Sequence, residues 1–256
     1  MSAKKIPPLV SIVLPTYNGA KYISRAIESV KFQDYLNWEL LVIIDGSDDN
    51  TEDIVKKYQK TDSRIVLIKN EQNIKLVKTL NKGLLIAQGE YIARIDDDDV
   101  WIDAHKLSEQ IDFLTKNKDY ALVGTQFETE NENGVSLKKI NLPMTDKKIR
   151  EHLLCYNSFC HSSVVFNKEV AMFVGCYSDI LTHAEDWDLW LKIGIKKKFF
   201  IINKPMVRYL SRDGLAKQTM KSDHVKNVLK VFYYYMKFYP KKILAIMFLI
   251  KYIIIG

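Results

Sequence analysis

The sequence predicts an α/β protein built on a mostly parallel sheet with helices on both faces. Three observations lead there. Short apolar runs alternate with segments of helical periodicity through the first half of the chain. Each run is too short for a helix and stops at a polar turn. At 256 residues, 47% hydrophobic and 27% charged, the chain can bury one sizeable core or two small ones.

"VSIVL" (10–14) reads as the first buried strand, ended by Pro15. Tyr22, Ile23, Ala26, Ile27 and Val30 follow at helical spacing. "ELLVII" (39–44) is the second strand, stopped by "DGSDDNT". A helix from about Thr51 to Lys60 precedes the strand "RIVLI", and another from about Val77 to Ala87 ends at Gly89. The strand "YIARI" then empties into "DDDD", before a helix from about Ala104 to Asn117. After Ala121 the pattern loosens. "HSSVVFN" reads as a strand, "EDWDLWLKIG" as a short helix and "KFFIIN" as a strand. The segment from about Asp223 reads as helical, broken in two by Pro240.

In such folds ligands bind at the carboxyl ends of the strands. Pro15 to Asn18, Asp45 to Asp49 and Asp96 to Asp99 each sit at the end of a different predicted strand, so three polar clusters converge on one rim. Four adjacent carboxylates repel one another unless a cation neutralises them. Hard cations such as Mg²⁺ or Mn²⁺ take oxygen ligands and share their shell with substrate phosphates. In an extended segment Asp96 and Asp98 point to the same side, so both can serve one metal–phosphate unit. The alternative is a solvated acidic turn. "DGSDDNTEDIVK" is not an EF-hand: Asn50 replaces the required glycine and Lys56 the twelfth-position glutamate, leaving a helix-capping turn.

Charge is divided along the chain. From Trp190 to Gly256 there are fifteen Lys and Arg against two acids, whereas the preceding 189 residues hold 23 basic and 29 acidic residues. A basic tail on an acidic body points to an anionic partner, a membrane surface or a nucleic acid. The three cysteines (Cys155, Cys160, Cys176) form no CxxC pair, which argues against a zinc site or disulfide framework and fits a reducing compartment. The N-terminal apolar run is too short for a signal peptide and is broken by prolines, so no export signal is expected.

"VSIVLPTYNGAKYISRAIESV", "ELLVIIDGSDDNT", "NKGLLIAQGEYIARIDDDDVW" and "EDWDLWLKI" follow one another in the order and spacing of the family 2 glycosyltransferases, a resemblance covering residues 9 to 210. It implies the GT-A fold and an inverting, metal-dependent enzyme that takes its sugar from a nucleotide-sugar donor, UDP-linked. By the same resemblance Pro15, Thr16 and Tyr17 border the uridine, and Asp45 accepts a hydrogen bond from the uracil ring. Asp98 is the direct metal ligand, Asp96 acts near the ribose or through water, and Asp97 lies close to the ribose. "EDWDLW" is similar to the family's ED motif, with Asp186 as general base and Glu185 as second choice; acids at a helix N-terminus also satisfy free N–H groups. His161 matches an acceptor-side position or is structural. Lys78 reaches a phosphate or is solvated. Trp101, Trp187 and Trp190 stack on sugars or fill the core. Ile44 departs from the family's usual aspartate, and Arg212 stands where a histidine is common.

The tail, "KFYPKKILAIMFLIKYIIIG", carries thirteen residues (243–255) that are apolar except for Lys251. They are fewer than the roughly 20 that span a bilayer. Their flanking lysines and aromatics fit a helix lying on an anionic membrane surface. The alternative is packing on the domain or on a second subunit in a homo-oligomer. Nucleic acid is not expected as partner, because the tail has no binding motif and interleaves its cations with aliphatics. The expected organisation is a GT-A domain over 1–215 and a basic, amphipathic helical tail over 216–256. The expected function is sugar transfer to a glycan or lipid-linked glycan acceptor in surface-glycan synthesis, by a cytoplasmic protein peripheral at the inner face of the membrane. The alternatives are a sugar-phosphate nucleotidyltransferase, for which "PTYNGAKY" is a poor phosphate loop, and a non-catalytic nucleotide-sugar-binding protein of the same fold.

Overall fold

A computed structural model gives the fold and describes residues 6–181, 184–211 and 222–255. Its first half alternates as the sequence predicts: β1 (Val10–Thr16), α1 (Ile23–Lys31), β2 (Trp38–Asp45), α2 (Thr51–Thr61), β3 (Ile65–Asn70), α3 (Leu76–Ile86) and β4 (Tyr91–Arg94). There follow β5 (Val100–Trp101), α4 (Lys106–Lys116), β6 (Tyr120–Glu130), β7 (Ser136–Ile140), α5 (Asp146–Leu153) and a 3₁₀ turn (His161–Ser163). The remainder is β8 (Val165–Asn167), α6 (Lys168–Phe173), α7 (Glu185–Lys196), β9 (Lys198–Leu210), α8 (Ser222–Tyr235) and α9 (Lys242–Ile255).

The sheet runs β3-β2-β1-β4-β8-β6-β9-β5, with β7 hydrogen-bonded to β6. β1 to β4 are parallel. β8 is antiparallel to both β4 and β6, and β9 is parallel to β6, so six of the nine strands point one way. Strand order reverses between β1 and β4, since the chain grows outward from β1 to β3 and then returns to β1's other edge. Crevices at such reversals are where open α/β sheets bind ligands.

β1 shows why the sheet is covered twice. Val10, Ile12 and Leu14 pack into one core with α1, α2 and α4, while Val13 packs into another with α3, α5 and α7. Ile44, in place of the family's acid, is fully buried in the first of these cores.

Two stretches differ from the sequence reading. "HSSVVFN" begins as a turn because Ser163's N–H and hydroxyl both donate to the Cys160 carbonyl, at 2.9 and 2.8 Å, and so bond locally instead of in a ladder. The loose region after Ala121 holds most of β6 and all of β7, β8 and β9. β6 and β9 pair over their whole length; Gln126 faces Pro205, and register shifts on either side of that pair absorb Asn203, Lys204 and Met206 of β9. A proline in a run ordinarily ends a strand; here a bulge accommodates it.

The tail packs on the domain. Val228, Val231, Phe232 and Tyr235 of α8 are buried, and Tyr235's hydroxyl donates to Asp188 Oδ1 at 2.8 Å. Tyr239 donates to the Leu191 carbonyl at 2.8 Å. In α9, Ala245 is buried, but Ile243 and Met247 are 77% and 61% exposed, and Ile246, Phe248 and Ile250 are also exposed. Thus α8 has one inward apolar face, whereas α9 presents aliphatic surface outward. Among the described residues no helix is long and apolar enough to cross a membrane. The 215/216 boundary lies outside the described residues.

Candidate active site

The loops leaving β1 and β2 are tied together. Asn18, at φ 55°, donates its N–H to Ser47 Oγ at 3.0 Å and accepts Asp48's N–H at 3.0 Å. Asp49 accepts from Ala20 N–H at 3.0 Å and, through its other oxygen, from Thr51 N–H at the start of α2. The "DGSDDNT" turn therefore braces the rim as well as starting a helix. Asp45, at the end of β2, is buried and accepts from Asn70 Nδ2 and the Ile74 and Lys75 N–H groups, at 2.9, 2.9 and 3.0 Å. It fixes the loop over residues 71–75 against the rim. Pro15 is buried within β1, and Tyr17 stands 54% exposed just beyond it. Lys78 is exposed on α3, and Arg212 lies outside the described residues.

On the β4 side of the crevice, Thr16 Oγ1 donates to Asp97 Oδ2 at 2.5 Å. Gly19 lies against this pair, and a Cβ there would meet Asp97 Oδ2 at 2.2 Å and Thr16 Oγ1 at 2.3 Å. Overpacking of this kind costs about 1–3 kcal/mol. Gly19→Ala is thus expected to part Thr16 from Asp97 and weaken UDP binding about ten-fold, the equivalent of about 1.4 kcal/mol. Calorimetry against wild type checks this, and an unchanged affinity contradicts it.

The four aspartates have separate surroundings. Asp96, 31% exposed at its side chain, pairs with Arg94 Nη2 at 2.5 Å. Asp97 takes the threonine hydroxyl. Asp98 is partly exposed. Asp99 is buried, accepting Leu210 N–H at 3.0 Å and Ser162 Oγ at 2.5 Å, so it binds this loop to β9. Burial, with Asp96 and Asp98 nearby, pushes the Asp99 carboxyl well above the usual carboxylate range. The chain does not stay extended through the four. Asp97 and Asp98 form a turn closed by Asp99 N–H on the Asp96 carbonyl at 3.2 Å, which lets Asp99 reach inward.

Arg94 is the residue that sequence reasoning missed. It is fully buried, and its guanidinium donates to Asp96, to the Val13 and Ile95 carbonyls and to His161 Nε2 at 3.1 Å. Burial, the largest single influence, pushes Asp96 upward, but the Arg94 charge together with hydrogen bonds from Arg94 and Ser162 holds the carboxyl below its ordinary value. The signal was present: alternation along a strand puts residues 94 and 96 on one side, and an arginine in an otherwise apolar run needs a partner there.

A guanidinium only donates, so His161 Nε2 is an acceptor and the ring proton sits on Nδ1. Burial, reinforced by Arg94, pushes the imidazole down to about 3, so it is neutral in the working range. Tyr177's hydroxyl lies 2.9 Å from the same nitrogen. Trp101, Trp187 and Trp190 are all buried. Trp101 and Trp187 donate their ring N–H groups to the Ser162 and Leu153 carbonyls, at 2.9 and 2.5 Å.

The second acidic pair opens α7. Ala184 precedes it in the left-handed region at φ 64°, an uncommon setting for a residue with a Cβ. Asp186 Oδ2 accepts from Asn157 Nδ2 at 2.6 Å, and Oδ1 accepts from Trp187 N–H at 2.7 Å. Asp186 therefore satisfies a helix-terminal N–H and lines a cleft as well. Burial pushes its carboxyl up to about 6, and burial with the neighbouring Asp186 charge pushes Glu185 up to about 7. Asp96, His161, Glu185, Asp186 and Tyr209 line one cleft of about 430 Å³. Two carboxyls tuned toward neutrality thus face the aspartate loop, an arrangement suited to moving a proton at that spot.

Among the described residues no three His, Cys, Asp or Glu side chains form a ready-made metal cage. Asp96 and Asp98 nevertheless fit a hard cation, because Mg²⁺-type ions bind through one or two carboxylates and fill their shell with water and substrate phosphates.

Solved structures give the fold. S. aureus TarS (1–349) in complex with UDP-GlcNAc superposes with a TM-score of 0.74 at 19% identity, covering 95% of this chain and 71% of that one. The mannosyltransferase PcManGT of Pyrobaculum calidifontis, in complex with GDP-Man and Mn²⁺, gives 0.68 at 19% identity, covering 96% and 70%. The fold is that of the GT-A glycosyltransferases. The Glycosyl transferase family 2 profile matches residues 11–171. A glucosyltransferase of Escherichia coli, WfgD, named for UDP-Glc and α-D-GlcNAc-diphosphoundecaprenol, is 32% identical over 97% of this chain and 93% of its own length. An uncharacterized glycosyltransferase of Methanocaldococcus jannaschii is 30% identical over 96% and 93%. The chain belongs to glycosyltransferase family 2, a transferase of glycan biosynthesis.

Proposed function

We propose that the enzyme is inverting and metal-dependent, and that it moves a sugar from a UDP-sugar to a hydroxyl of a lipid-linked saccharide. One observation carries the reading: the Asp186–Glu185 pair, with raised pKa values, shares a cleft with Asp96. In this reading Pro15, Thr16, Tyr17 and Asp45 border the uridine, and Asp97 lies near the ribose. Arg94 already engages Asp96. Asp98 is accordingly the direct ligand of Mn²⁺ or Mg²⁺, with Asp96 acting near the ribose or through water. When bound, the cation neutralises charge developing on the departing diphosphate. Asp186 accepts the acceptor's hydroxyl proton as that oxygen attacks the anomeric carbon opposite the leaving group, which inverts the centre; Glu185 is the second choice for this role.

The ligands in the names of the TarS and PcManGT structures support a nucleotide-sugar donor and a metal. The name of the E. coli relative supports a lipid-diphosphate acceptor. The outward aliphatic surface of α9 and the cations of the tail support a peripheral position on an anionic membrane at the cytoplasmic face. The test is UDP release from UDP-Glc and UDP-GlcNAc with Mn²⁺, with and without a GlcNAc-diphospholipid in vesicles. Release stimulated by the lipid-linked sugar supports the reading. Release equal with free GlcNAc, or none from either donor, contradicts it.

A further inference from the structure

Asp186 lines two cavities. One is the polar cleft it shares with Asp96. The other, of about 420 Å³, lies between the domain and the tail and shares only Ala184 and Asp186 with the first. Apart from Asp186, Asn157 and the Tyr156 hydroxyl, its walls are largely apolar: Leu154, Trp187 of α7, Val228 and Phe232 of α8, and Ala245 and Phe248 of α9. Protein interiors are close-packed and tolerate few voids above the size of a water. An apolar cavity of about 150 Å³ already accepts a benzene-sized guest. A larger one, open beside a carboxylate tuned for proton transfer, is a binding site in waiting.

The chemistry of the walls selects the occupant. A molecule entering here meets Asp186, Asn157 and Tyr156 among otherwise mostly apolar side chains, so it needs a hydroxyl-bearing head on an apolar chain. Beside the cavity, Lys241 and Lys148 converge on the single acid Glu151, at 3.1 and 3.7 Å, leaving net positive charge for an anionic linker. Phe248 is both a cavity wall and 42% exposed, so the apolar lining continues into the outward aliphatic surface of α9. We infer that this cavity receives the first part of the acceptor's hydrocarbon chain, joined to the sugar through an anionic phosphate linker, and that α8 and α9 are the acceptor half of the active site. This rests on the transferase reading above; it adds where the acceptor enters and what the tail is for.

Calorimetric titration of the full chain with farnesyl diphosphate, in metal-free buffer, tests the site, with isopentenyl diphosphate as the short-chain control. Farnesyl diphosphate is expected to bind at least ten-fold more tightly. Val228→Phe and Ala245→Leu, which fill the cavity, are each expected to weaken it at least ten-fold. Phe248→Glu, at a half-exposed position that tolerates a charge, guards against a filling variant that misfolds and is expected to do the same. UDP binding with Mn²⁺, measured on every variant, is expected to stay unchanged. Equal affinity for the two diphosphates overturns the inference, because the anion alone is then recognised. So does farnesyl affinity that survives the substitutions in variants that still bind UDP. Failure of wild type to bind UDP strikes the donor reading instead, while the ratio of the two diphosphates still reports on the cavity.

Discussion

Asp186→Asn is expected to lower turnover by about 10²–10⁴-fold while leaving UDP affinity nearly unchanged, since a general base acts on the acceptor and not on the nucleotide. Wild-type turnover is expected to rise with pH through 6 to 7, where burial has raised Asp186 and Glu185. Below that range the base is protonated. The same shift has a stability consequence. The folded pKa values lie above the ordinary ones, so the folded state holds these protons more tightly than the unfolded chain. The pair's ionisation therefore costs stability that appears as pH rises from about 4 through 7. Allowing for the partial exposure of the pair, the share of Asp186 is on the order of 1 kcal/mol, or about 2–4 °C in Tm. Asp186→Asn cannot ionise, so it is expected to melt higher than wild type at pH 8 and level with it at pH 4. Turnover kept in Asp186→Asn contradicts the base assignment; a Tm difference independent of pH contradicts the origin of the shift.

Arg94→Leu is expected to be the most destabilising single change at the site. Arg94 has no exposed surface and serves Asp96, His161 and two backbone carbonyls at once. Its removal strands a partly buried carboxylate and leaves those acceptors without donors. Breaking one side of a buried ion pair costs about 3–5 kcal/mol, or about 10 °C in Tm for a chain of this size. UDP binding should weaken as well, because Asp96 loses the charge that holds it ionised. Arg94→Lys keeps the charge but not the fork, so it is expected to fall between wild type and Arg94→Leu. Thermal melting of the three proteins decides; a loss under about 1 kcal/mol for Arg94→Leu is incompatible with this role.

The parts of this molecule that the sequence discloses are those where local pattern and tertiary environment agree. β1 to β4 are short apolar runs because both faces of a parallel strand are covered, and the polar turns that end them are the rim itself. The second half is less legible. β6 takes Gly124 where Phe159 lies against the strand and crowds a Cβ, and β9 continues through Pro205 by bulges that only its partner strand reveals. Ser163 turns the chain before β8 by bonding locally to Cys160, while Ser162 reaches across to Asp99. In the site, the acids were visible as a motif, but their division of labour was not. Asp99 reads like its neighbours and is instead a buried tie to β9. His161 and Arg94 lie 67 residues apart in sequence, so their bond, and the tautomer it fixes, emerge only from the fold. Asn157, which orients Asp186 from 29 residues away, gives no sequence signal at all.

We propose the aspartate loop at the β1–β4 crevice as a metal-dependent nucleotide-sugar site. Calorimetric titration with UDP, with and without Mn²⁺, on wild type and Asp98→Asn tests it most directly. UDP binding is expected to require Mn²⁺ in wild type and to be lost in Asp98→Asn. Binding that is indifferent to Mn²⁺, or equal in the two proteins, would contradict it.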